Sequence, residues 1–185
     1  MFAHYILREI NTVELIEPTE RFENQIRLYR KEFLDCKDSM DGTGGLETFE
    51  SPKEWIEYSK RNKDPLTVSK GLVPATQYIF VREEDMKIVG MIQIRHYFND
   101  YLKRFGGHIG YSIAPSERRK GYATMMLKTV LPKCRELGLE KVLITCNKGN
   151  EGSRRTILNN GGIYESAVYE PDEKVYIERY WIDLN

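Results

Sequence analysis

The chain has no surplus of either charge: 28 Lys and Arg stand against 28 Asp and Glu. A protein built around nucleic acid or an acidic membrane carries a basic excess, so neither is expected as a partner. Long hydrophobic runs are missing too. The longest, Ile88 to Ile92, reaches five residues only if glycine is counted, far short of the roughly 20 needed to span a bilayer. Cysteine is scarce: Cys36, Cys134 and Cys146 are odd in number and widely spaced, with no C-x-x-C. That usage fits a reduced, cytoplasmic protein rather than a disulfide framework. His4, His96 and His108 match no metal-ligand spacing, and no metal is expected. The first residues meet charge at Arg8 and Glu9, too early for a signal peptide.

What is present is a core. The 185 residues are 41% hydrophobic and 11% aromatic, too apolar for a disordered chain. At about 150 residues per domain the length predicts one domain, 1–185, with residues 1–12 as an extension ahead of it. Such a domain buries roughly 70% of its unfolded surface and needs no covalent staples.

Periodicity then orders the elements. Val13 to Glu17 reads as a strand, and Phe22, Ile26, Tyr29 and Phe33 recur at helical spacing up to about Cys36. Gly42, Gly44 and Gly45 predict a flexible loop. Ser51, Pro52 and Glu54 supply a cap, a first-turn proline and a capping-box partner for a second helix. Gln77 to Arg82 and Lys87 to His96 read as a hairpin, and His108 to Ile113 as a further strand. A long helix is expected from Glu117 to Leu137, with Gly138 ending it and Pro132 kinking it. Lys141 to Cys146 is a buried-type strand, followed by a polar helix from about Glu151 to Asn159. Ile163 to Tyr169 and Lys174 to Asp183 close the chain as an antiparallel pair. The strand, long helix and strand in the middle predict a right-handed parallel crossover. The fold class is therefore mixed α/β, with a mostly antiparallel sheet and flanking helices.

The chemistry concentrates in Tyr111-Ser-Ile-Ala-Pro-Ser-Glu-Arg-Arg-Lys-Gly-Tyr-Ala123. A strand runs into a turn that opens a helix, and the first helical amides lack internal acceptors. With the aligned peptide dipoles, such an end takes phosphate. Gly121 lets a ligand approach the backbone and Ala123 keeps the next turn clear. Arg118, Arg119 and Lys120 oppose the dipole at a few tenths to about 1 kcal/mol each. A bound anion, through hydrogen bonds of roughly 1.5–3 kcal/mol, would outweigh that cost.

Arg118-Arg119-Lys120-Gly121-Tyr122-Ala123 resembles the Arg/Gln-x-x-Gly-x-Gly/Ala motif of the GNAT family of N-acetyltransferases. Asn150, Ser153 and Gly161 fall where that family has a later Asn, a small residue and a helix-ending glycine. The resemblance implies the acyl-CoA N-acyltransferase fold, acetyl-CoA as cosubstrate, and acetyl transfer to a small-molecule or peptide amine. It implies that the strand of Tyr111 to Ile113 splays from the strand of Ile144 to Cys146. The pantetheine arm would pair near Ile113, with pyrophosphate on the amides of residues 119 to 123 and Asn150 on the other side. Ile157 stands where many members have the tyrosine that protonates the departing thiolate. Either Tyr111, Tyr164, Tyr169 or Tyr176 replaces it or the thiolate leaves with solvent assistance, and Tyr164 with His108 is the expected catalytic pair. His108, on the strand feeding the motif, has an ordinary pKa suited to a base. A homodimer is compatible with all of this.

Plainer readings stand beside these. Asn150 could simply cap its helix. Cys146 reads as core filler, and His96, alternating with Ile92 and Ile94, reads as structural. The glycine loop lacks the Lys-Ser/Thr of a P-loop and, by the resemblance, would border the acceptor site. Asp35, Asp38, Asp41 and Glu47 around it hint at a cationic substrate. The rival from another class is a module that binds an acyl-CoA without turning it over.

Overall fold

The computed structural model describes residues 12–185, so all but Thr12 of the expected extension, and His4 with it, lie outside the described residues. Seven strands form one sheet in the order β1-β2-β3-β4-β5-β7-β6. They are β1 (Val13–Ile16), β2 (Ala75–Arg82), β3 (Lys87–Arg95), β4 (Ile109–Ile113), β5 (Lys141–Asn147), β6 (Ile163–Glu170) and β7 (Val175–Asp183). Every neighbouring pair is antiparallel except β4 and β5, the parallel pair expected from the central crossover. The helices are α1 (Glu23–Cys36), α2 (Pro52–Asn62), α3 (Tyr122–Glu136) and α4 (Glu151–Leu158).

Alternation along the strands explains the layering. Ile79, Val81, Ile88 and Met91 face a cluster with Ile26, Phe33, Trp55 and Ile56 from α1 and α2. Their neighbours Tyr78, Phe80, Val89 and Ile92 point the other way, onto Met126, Leu127 and Val130 of α3 and Ile157 of α4. The period of two along a strand puts one residue set on each face. Ile157 is thus core, fully buried. Ser51 caps α2 through its side chain, which accepts from the Glu54 amide, and Pro52 occupies the first turn as expected. Among the described residues no helix is long and apolar enough to cross a membrane.

Two expectations change. The long helix starts at Tyr122, not Glu117. Pro115–Glu117 is a 3-10 turn, Arg118 is extended, and Arg119 and Gly121 have φ of 64° and 87°. A right-handed helix cannot run through left-handed residues. Pro132 lies exposed inside α3, which runs on to Glu136 as expected. The glycine loop is pinned rather than flexible. Gly42 packs on Gly110, its carbonyl accepts from Gln77 Nε2 at 2.9 Å, and Trp55 Nε1 donates to the Thr43 carbonyl at 2.8 Å.

Two glycines of that loop separate strain from space. Both have positive φ, but a Cβ on Gly42 would sit 2.0 Å from the Gly110 carbonyl oxygen, whereas on Gly45 the nearest atom is 3.8 Å away. Gly45→Ala should cost about 1 kcal/mol, from backbone strain alone, and Gly42→Ala at least about 2 kcal/mol. Urea unfolding midpoints of the two variants check this.

Candidate active site

The parallel pair is barely a pair. β4 and β5 share a single register position, Ile109 with Ile144. Just before it, the His108 amide donates to the Leu143 carbonyl at 2.7 Å. The Leu143 amide, in turn, donates at 2.9 Å to Nδ1 of the His108 ring. A side-chain nitrogen therefore stands in for a strand carbonyl, and beyond this clasp the strands diverge. Ala114 donates back to Val89 of β3, which sets the alternation so that Tyr111 and Ile113 direct their backbone groups toward β5. The result is a cleft of about 940 Å³, within the range of small-molecule sites.

At one end of the cleft stands the N-terminus of α3. Among the described residues, the amides of Arg119, Gly121, Ala123 and Thr124 donate to no backbone carbonyl. A Cβ on Gly121 would meet nothing within 4 Å, so the approach is open. The cations beside it divide. Arg118 pairs with Asp38 at 2.6 Å, donates from Nε to the Ile113 carbonyl at 3.2 Å and lies over the Phe33 ring. Lys120 pairs with Glu117 at 2.9 Å. Glu117 is itself buried and is also bonded by Arg82 and Lys87. Burial pushes its carboxyl up, but the three cations outweigh that and hold it at about 2. Among the described residues Arg119 has no such partner, and its left-handed backbone keeps it in the turn. Two of the three cations are thus compensated by the protein's own carboxylates, so anion demand falls on the amides and Arg119.

Across the cleft, Asn150 caps α4: its Oδ1 accepts from the Ser153 amide at 3.0 Å. The plain capping reading of Asn150 is therefore realised, and its Nδ2 is what remains for a ligand. The Tyr111 hydroxyl spans the gap to Ser153 Oγ at 2.8 Å. Burial pushes the Tyr111 phenol well above its ordinary range, with the Ser153 hydrogen bond opposing, so it stays protonated. Burial likewise pushes the Cys146 thiol up to about 11, which makes it inert at neutral pH.

Of the eleven site residues expected from sequence, Ile113, Arg118, Arg119, Gly121, Tyr122 and Ala123 line the cleft from one side, and Asn150 and Ser153 from the other. Lys120, His108 and Tyr164 do not. His108 is buried with its ring against Phe98, centroids 3.9 Å apart. Its Nδ1 lone pair is spent on Leu143, so the neutral ring carries its proton on Nε2 and offers no base. Tyr164 is exposed on β6, edge-on to Tyr180. Tyr169 and Tyr176 pack against each other at a tilt, with ring planes 57° apart. Of the four candidate tyrosines, Tyr111 is the one on the cleft. His96 is structural as expected, bonded to Thr76 at 2.8 Å. Sequence reasoning missed Arg95 and Tyr101, which line the far end beside Asp41 and Gly42. Nothing in their spacing marks them, because β3 and the segment after it reach the cleft only through sheet order. No cluster of three or more His, Cys, Asp or Glu suited to a metal occurs among the described residues.

This architecture has known counterparts. The profile of the acetyltransferase (GNAT) family matches residues 41–161. The chain belongs to that family, and as a member it is an N-acetyltransferase. No curated protein matches it significantly. Among solved structures it is similar to ribosomal-protein-S5-alanine acetyltransferase from Vibrio fischeri, with TM-score 0.66, 16% identity, and 94% of this chain and 92% of that one covered. It is also similar to a dodecameric spermidine N-acetyltransferase from Vibrio cholerae, with TM-score 0.61, 16% identity, and 93% and 94% covered. The microcin C7 self-immunity acetyltransferase, in complex with acetyl-CoA and AMP, gives TM-score 0.63, 17% identity, and 92% of each chain.

The clasp makes a prediction of its own. Burial, and then the charge of Arg95, push the His108 imidazole down to about 4. The unfolded chain therefore takes up a proton near pH 6.5 that the native state refuses. The sign follows: the contribution is complete above pH 6.5 and is lost as pH falls toward about 4, at up to roughly 1.4 kcal/mol per pH unit. Urea unfolding between pH 4 and 7 should show this slope in the wild type and a shallower one in His108→Gln.

Proposed function

We propose that this protein transfers the acetyl group of acetyl-CoA to an amine by direct attack with both substrates bound. The observation that carries the reading is the coincidence of an open helix N-terminus with an unpaired strand edge in one cleft. The amides around Gly121, with Arg119, would hold the pyrophosphate. The outward backbone of Tyr111 and Ile113 offers an extended arm the hydrogen bonds that β5 does not make, and Asn150 contributes Nδ2 from the opposite wall. Arg118 acts through its hold on Ile113 and Asp38, shaping the wall rather than reaching for phosphate.

The thioester supplies the activated acetyl group. A C–N bond forms as the C–S bond breaks, the amine loses a proton and the sulfur gains one. Tyr111 is the group placed to give that proton. It lies on the cleft, remains protonated across the working range and is oriented by Ser153. It takes the role that Ile157, sealed in the core, cannot. No described histidine lines the cleft, so the acceptor sheds its proton to solvent or to a lining carboxylate, Asp41 or Glu173.

Four measurements test this. Release of free thiol from acetyl-CoA should occur with some member of an amine panel, and heat protection by acetyl-CoA without thiol release would favour the binding-module reading. Tyr111→Phe should lower kcat about 100-fold, the lower end of general-acid effects, while protection by CoA persists. Arg119→Glu should weaken CoA binding roughly 10- to 100-fold, as loss of a charge-assisted hydrogen bond implies. Unchanged affinity would displace the pyrophosphate from this turn. With no histidine base, kcat/KM should rise with pH up to the pKa of the acceptor amine itself.

A further inference from the structure

The far end of the cleft holds a cation with no carboxylate of its own. Arg95, the last residue of β3, is partly buried and lines the cavity. Its Nη1 donates to the carbonyls of Gly106 at 3.0 Å and Gly107 at 3.3 Å. Among the described residues, neither Nε nor Nη2 has a hydrogen-bond acceptor, and no carboxylate lies within the 4.0 Å that defines an ion pair in the other arginine contacts. Nη2 passes Gly110, where a Cβ would sit 3.2 Å from it. Both free nitrogens keep some exposed surface, since the one fully buried, unpartnered side-chain polar atom among the described residues is Asn62 Oδ1. The Nε–Nη2 edge of a guanidinium is a two-donor fork that matches a carboxylate.

The neighbouring charges give this fork a context. Asp41, whose carboxylate takes the Ser39 hydroxyl at 3.1 Å, lines the same end. Asp38 is already committed to Arg118. Burial disfavours the charge on Arg95, and Asp41 and Tyr101 offset it only at a distance. Tyr101, Leu102 and Phe105, from the turn after β3, wall the site with apolar surface, which strengthens any ion pair made there.

We infer that Arg95 is a carboxylate-binding residue of the acceptor site and that the acceptor is a free amino acid rather than a simple polyamine. Arg95 is the cation at this end and Asp41 and Glu173 are its carboxylates, so a carboxylate on the acceptor has Arg95 to meet and its ammonium has Asp41 or Glu173, the complement of a zwitterion. A polyamine would bring ammonium groups against Arg95 with nothing to pair it. The inference rests on the acetyl-transfer reading of the cleft and names the substrate class for it.

The test compares the twenty proteinogenic amino acids with their carboxamides, and with spermidine and spermine, as acceptors in thiol-release kinetics. At least one amino acid should show a kcat/KM tenfold or more above that of its carboxamide, the difference residing in KM. Arg95→Lys, which keeps the charge but loses the fork, should shrink that ratio, and Arg95→Met should erase it. The discrimination measured on the wild type stands even if Arg95→Met misfolds through loss of its hold on Gly106 and Gly107. Carboxamides or polyamines used as well as, or better than, every amino acid would overturn the inference and leave acetyl transfer standing. Thiol release with none of these acceptors, nor with any of a broad amine panel, would overturn both.

Discussion

The cleft exists because β4 and β5 are joined at one end only. A parallel pair of this length would normally close its ladder along the whole overlap. Here the pairing stops at Ile109 and Ile144, and just below that position His108 holds β5 twice, once through its amide and once through its ring. A neutral imidazole nitrogen can accept as a carbonyl does, yet it sits at the end of a side chain and so need not carry the ladder onward. The strands are held firmly at the floor and released above it. Everything assigned to substrate depends on that release: the backbone of Tyr111 and Ile113 that β5 leaves unpaired, the reach of the Tyr111 hydroxyl to α4, and the room in front of Gly121.

The charged residues divide between structure and site in a way that explains their chemistry. Glu117 gathers Arg82, Lys87 and Lys120 into a buried knot under the turn. Such a knot costs desolvation and repays it only with complete pairing; three cations on one carboxylate leave its charge more than covered. Arg118 is drawn toward Asp38 and the Ile113 carbonyl. The turn is therefore built by its own ion pairs before any ligand arrives. Preorganised donors cost little reorganisation when charge arrives, and this is the main electrostatic resource of such sites.

Much of this was legible in the sequence. The helical period marked α1 and α3, while β2 and β3, buried on both faces, read as apolar runs bounded by turn residues. Ser51 and Pro52 marked a helix start through side-chain chemistry, and Gly121 marked the open end of α3. What escaped had no local signature. Arg119 adopts a left-handed backbone that its residue type does not favour, so the long helix looked longer than it is. The glycine loop looked slack because its partners, Gly110, Gln77 and Trp55, are distant in the chain. His108 looked like a base because a sequence shows an imidazole but not which of its lone pairs is already taken. Arg95 reads as an ordinary polar strand end until the sheet order brings it beside Gly110.

One residue just below the clasp shows how little material sets the cleft. A Cβ on Gly107 would fall 2.5 Å from the Leu143 carbonyl oxygen. Any side chain there would act as a wedge at the apex of the V, and a small shift at an apex fans out into a large one at the rim. The gape of the slot is thus gauged by a methyl group that is not there, and its width could be retuned from a position that never touches what the slot holds.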